Sequence, residues 1–153
     1  MKKLCLLLPL LLLLTACATA QAQSAESAAN AALEAYGAAN YVRADDDFLT
    51  TNFGELPYVK NAVIYLSKNG DGSEFGFFEL TDTRHQNELV AAIKAYLASE
   101  EQAVRSLAAL YPADDLQARL DRFEKATVGA AHNVVYYFLT DVALAQKAER
   151  AFQ

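Results

Sequence analysis

The period of the hydrophobic positions changes several times along this chain, and each change marks an element. An unbroken apolar run from Leu4 to Leu14 follows Lys2 and Lys3. From Ala18 to Ser24 the residues are small and polar, with nothing to bury. Ala28, Ala31, Ala32, Ala35 and Tyr36 then repeat at helical spacing, with Ser24 placed as N-cap, Ser27 in the first turn and Gly37 positioned to end the helix. An apolar face made mostly of alanine is shallow, which predicts light packing. Asp45, Asp46 and Asp47 open a second, short helix through Phe48, Leu49 and Phe53, since carboxylates are favoured at the positive end of a helix dipole. Gly54 and Pro57 stop it.

The spacing then becomes that of strands. Ala62 to Leu66 and Phe75 to Leu80 are β-branched and aromatic runs, and Asn69-Gly70-Asp71-Gly72 between them carries two strong hairpin steps. Neither run alternates cleanly between apolar and polar, so both faces of the sheet are expected to be partly covered. Asp82 and Thr83 cap the next element, with Gln86 in capping-box position. Leu89, Ile93, Tyr96, Leu97, Val104, Leu107 and Leu110 hold helical spacing as far as Tyr111-Pro112, where proline disfavours helix in the residue before it. Glu101 and Arg105 are spaced to pair along this long helix. A shorter helix carries Leu116, Leu120 and Phe123, with Asp115–Arg119 and Asp121–Lys125 as surface pairs. A second hairpin joins Ala126–Ala130 to Val134–Leu139 through a turn near His132-Asn133, and Asp141 caps a final helix with Val142, Leu144, Ala145, Ala148 and Phe152. The expected fold is α+β: a four-stranded, mainly antiparallel sheet from two hairpins, packed by a long helix and by N- and C-terminal helices.

Composition adds location. A basic start, an apolar middle and small residues before a break are the parts of a secretory signal. The run is too short for a membrane span, which needs about 20 apolar residues. Its end, Leu14-Thr15-Ala16-Cys17, resembles the lipobox of bacterial lipoproteins, in which the cysteine receives a diacylglyceryl group and the signal is cut just before it. That resemblance implies a signal peptide over 1–16, a lipidated Cys17 with a short tether over 17–24, and a single domain over 25–153, held on the extracytoplasmic face of the cell membrane. Seven extended tether residues reach only about 25 Å, so the domain is expected to sit close to the bilayer. The chain has 153 residues and a net charge of −6, which argues against nucleic acid as a partner. Of its two cysteines, Cys5 lies in the signal and Cys17 at the lipid site, leaving the domain no disulfide, thiol nucleophile or thiolate ligand.

The order of parts resembles DUF4358, a domain-of-unknown-function family of small Gram-positive lipoproteins. The shared parts are the lipobox, the acidic short helix closed by Asn52-Phe53-Gly54, and the strand Glu74-Phe75-Gly76-Phe77-Phe78. They continue with the long helix ending at Tyr111-Pro112 and the strand from Asn133 to Asp141. Phe75 to Phe78 depart from the family's expected aliphatic and basic residues. The family has no established activity, so the resemblance brings no catalytic residues.

The chemistry-bearing residues are sparse. Three consecutive aspartates cannot all converge on a cation, and the Asn69–Ser73 stretch lacks the carboxylates that a calcium loop needs at its first and twelfth positions, here Ser67 and Phe78. His85 and His132 have no second ligand at metal spacing, and Arg84-His85 beside Glu88 is at most a weak anion site. No nucleophile-elbow or phosphate-loop pattern is present. Glu74 and Glu79, five apart on one strand, point to opposite faces and so make no acid–base pair. Tyr65, Phe75, Phe77 and Tyr137 offer an aromatic sheet face, with burial under helices the favoured reading. The sequence thus points to a membrane-anchored lipoprotein domain that is not an enzyme and carries no metal or cofactor. It is expected to bind a small ligand or an envelope protein partner, with its membrane lipid attached through Cys17. The alternative is a cell-envelope hydrolase with an unfamiliar site.

Overall fold

The structure is a computed structural model that describes residues 24–111 and 113–152; the signal segment 1–16, Cys17, tether residues 18–23, Pro112 and Gln153 lie outside the described residues. Helix α1 (Ala25–Tyr36) starts where Ser24 Oγ accepts from the Ser27 N–H at 3.1 Å and ends at Gly37, whose φ of +90° suits a residue without Cβ. A single 3₁₀ turn leads into strand β1 (Tyr41–Arg43). Helix α2 (Asp46–Phe53) is capped by Asp45, which accepts from the Phe48 N–H at 2.9 Å. Strands β2 (Val59–Ser67) and β3 (Glu74–Leu80) form the first hairpin, and a 3₁₀ turn then opens helix α3 (Gln86–Leu110). Helix α4 (Asp114–Glu124), the hairpin of β4 (Thr127–Ala131) and β5 (Val134–Leu139), and helix α5 (Val142–Phe152) complete the chain.

The fold is α+β with an antiparallel sheet, as the sequence predicts, but the sheet has five strands in the order β1-β2-β3-β5-β4 rather than four. The added strand is β1, which pairs Tyr41 with Ser67 and Arg43 with Tyr65 along the outer edge of β2. Three residues are too few to show a period, so only pairing with β2 reveals it.

Helices cover both faces. On one, α1 and α5 lie over Val63, Tyr65, Phe75, Phe77, Tyr136 and Phe138; on the other, α3 with residues of α2 lies over Ile64, Phe78, Val135, Tyr137 and Leu139. The aromatic residues grouped on one face by the sequence reading therefore divide, because Tyr137 points opposite to Tyr65, Phe75 and Phe77. All four are buried.

Three further expectations need correction. The alanine face of α1 is not lightly packed: Ala25, Ala28, Ala29 and Ala32 are fully buried, facing Ala145 and Ala148 of α5. Small side chains let two helix backbones approach closely, so a shallow face here means proximity rather than looseness. Asp82 caps the 3₁₀ turn by accepting from the Arg84 N–H, while no capping side chain bonds the first turn of α3. On α4, Asp121 accepts from Gln117 rather than pairing with Lys125, and Arg119 lies against Gly72 of the β2–β3 loop rather than pairing with Asp115, while Arg122 bonds the Asp71 carbonyl of the same loop.

Because α1 ends beside Phe75 and Phe138 and α5 begins just after Leu139, the two helices run antiparallel. The chain therefore enters at Ser24 on the pole where α3 begins. The other pole holds the β2–β3 loop, the overhanging end of α3 and the start of α4.

Candidate functional site

The polar cluster nearest to chemistry is at that second pole, under α3. Glu74 opens β3, a strand whose seven residues are all buried, and is itself only 8% exposed. Its parity places it with Gly76 and Phe78 on the α3 face. There Tyr137 Oη donates to Glu74 Oε1 at 3.0 Å. The reach of Tyr137 depends on Gly76, its cross-strand partner: a Cβ there would lie 2.5 Å from Tyr137 Cε1 and 2.9 Å from Ile64 Cγ1. Glycine thus lets the phenol ring lie across β3 toward the carboxyl.

Burial is the largest influence on Glu74 and pushes its carboxyl up to about 7, with the charge of Glu100 adding to the rise. The Tyr96 and Tyr137 hydroxyls and the Arg119 guanidinium act the other way. Both phenols are raised in turn, chiefly by their own burial and then by the Glu74 charge, so they remain donors. Arg119 lies against Gly72, and its buried Nε has no hydrogen-bond partner among the described residues. Close by, Arg122 ties α4 to the loop through the Asp71 carbonyl and carboxylate. Partial burial would raise Asp71, but hydrogen bonds from Ser73 and Ser67 and the charge of Arg122 outweigh it and hold the carboxyl low. Asp71 is therefore a poor base for the Ser73 hydroxyl it accepts from.

Glu79 is on the opposite face, as the odd spacing requires, and takes a 2.6 Å ion pair from Lys60. The aspartates at 45–47 serve the α2 N-terminus, and the Asn69–Ser73 loop closes a hairpin in which Asp71 accepts from the Ser73 N–H at 2.9 Å. Arg84 is engaged by Asp82, while His85 stacks on Tyr58 at 4.8 Å and meets Glu88 at 3.0 Å, so the groups that were to hold an anion already have partners. His132 takes the tight turn between β4 and β5 with φ +55°. Among the described residues no group of three His, Cys, Asp or Glu is placed to hold a metal, and no helix is long and apolar enough to cross a membrane.

Sequence reasoning weighed Glu74 for chemistry only as half of a carboxylate pair, and assigned Tyr96 to the apolar stripe of the long helix and Arg119 to a surface pair with Asp115. A usable signal existed: buried tyrosines seek an acceptor, and Glu74 is the one carboxylate that β3 turns to their face, Glu79 pointing to the other. Outside the cluster, the last turn of α3 overhangs the sheet, leaving Leu110 73% and Tyr111 68% exposed. No protein-family model, curated protein or solved structure matches the chain.

Proposed function

We propose that this protein is a membrane-anchored extracytoplasmic lipoprotein, attached through a lipid on Cys17, whose domain binds an envelope partner or small ligand without chemical turnover. The observation that carries the non-catalytic reading is the enclosure of Glu74. Its carboxyl is turned to phenols inside the core, and the groups around it supply no nucleophile activated by a base. The exposed end of α3, on the pole opposite the entry of the chain, supports a role in contact with other molecules.

One observation favours the alternative of an envelope hydrolase. A carboxyl raised to about 7 beside the second carboxylate of Glu100 is the environment of a general acid. Its low exposure weighs against this, because an acid must reach the bond it protonates. The test is turnover of peptidoglycan, ester and phosphate substrates by purified protein across pH 5 to 9, with Glu74→Gln alongside. We expect no rate above background from either form. A rate lost in Glu74→Gln, and falling in the parent as pH rises through neutrality and the acid loses its proton, would establish the enzyme.

A further inference from the structure

Strand β4 ends the sheet, so one of its backbone edges points away from β5. Proteins usually blunt such edges with short length, charge, proline or a bulge. The opposite edge follows this rule, since β1 has three residues and one is Arg43. β4 does not. Thr127-Val128-Gly129-Ala130-Ala131 is uncharged, contains no proline and pairs with β5 in unbroken register. Beside it, on the α3 face, lies a cavity of about 480 Å³ whose apolar lining includes Leu97, Phe123 and Val128. Two charges stand there: Glu101 is matched by Arg105, whereas exposed Lys94 has no ion-pair partner among the described residues.

We infer that the β4 edge is a docking site for an extended peptide segment of another protein, one that carries an apolar residue and a carboxylate two positions apart. Alternate side chains of an added strand share a face, so that spacing brings both to α3, the apolar group into the cavity and the carboxylate to Lys94. Main-chain bonds to β4 supply affinity, and the cavity and the lysine supply selectivity. A second copy fits less well: β4 is uncharged, so a partner's β4 offers Lys94 no carboxylate. The inference rests on the binding reading above and names its partner class.

The probe is a blocked heptapeptide alternating threonine with valine and bearing one glutamate on the valine face, compared with the same peptide bearing lysine. With detergent-solubilised full-length protein, the glutamate peptide is expected to slow hydrogen exchange at residues 127–131. Lys94→Glu should weaken its binding about tenfold, equivalent to roughly 1.4 kcal/mol, and favour the lysine peptide. Ala98→Trp, which fills the cavity from an exposed helix position, should abolish binding. Thermal melts of both variants check that they stay folded. Equal binding of the two peptides or unchanged exchange at 127–131 would overturn the site. So would protection that grows with protein concentration in the absence of peptide, the result of self-pairing. Partner crosslinks from membranes that map to another face would sink the β4 site while leaving the binding reading intact.

Discussion

Glu74 shows how far one residue's behaviour depends on neighbours that the sequence does not place beside it. Its side of the sheet was legible, because an odd separation from Glu79 fixes opposite faces whatever else the chain does. Its burial was not, since that follows from α3 crossing overhead and from Gly76 admitting the Tyr137 ring. The consequence is a stability that depends on pH. The carboxyl goes from an ordinary value of 4.5 to about 7, so between those values the folded state holds a proton that the unfolded state has lost. The folded state binds more protons across that window, and stability therefore falls as pH rises through it. About 3 kcal/mol present at about pH 4 is missing at about pH 8. Glu74→Gln keeps the acceptor for Tyr137 and removes the charge. Urea melts should show the variant more stable than the parent at about pH 8, near parity at about pH 5, and a flattened slope between.

Among the elements, those with a sustained period were read correctly. The spacing from Leu89 to Val104 marks the buried face of α3, and the glycine-rich loop marks the β2–β3 hairpin. Leu107 and Leu110 continue the same period yet stand exposed, because the helix outruns the sheet beneath it. Periodicity records which residues share a stripe, but only the neighbouring layer decides whether the stripe is covered. Helix α1 shows the reverse. Alanine carries a weak hydrophobic signal, and its burial against Ala145 and Ala148 depends on a partner more than a hundred residues away. Such close backbones leave no room for a longer side chain. Ala29→Leu is expected to cost about 1–3 kcal/mol in a denaturant melt, although leucine is as good a helix former as most residues. A change within about half a kcal/mol would mean that the α1–α5 seam has slack.

At the scale of the whole molecule, the order of helices and hairpins was legible while the pole-to-pole arrangement was not, since it depends on α1 and α5 running antiparallel. That arrangement gives the proposed anchor its meaning. Cys17→Ser should move the protein from the membrane fraction to the soluble fraction or leave its signal uncut, because durable attachment needs the acyl chains. Fractionation identical to the parent would remove the lipid from the account. With the lipid in place, height above the bilayer becomes a selection rule. The tether contributes about 25 Å at full stretch, and α3, with 25 residues at roughly 1.5 Å each, runs about 37 Å toward the far pole. Molecules held to the same sheet of lipid within about 60 Å of its surface are met repeatedly, at an effective concentration set by the leash. A protein whose docking segment stands higher than that is never met, however abundant it is.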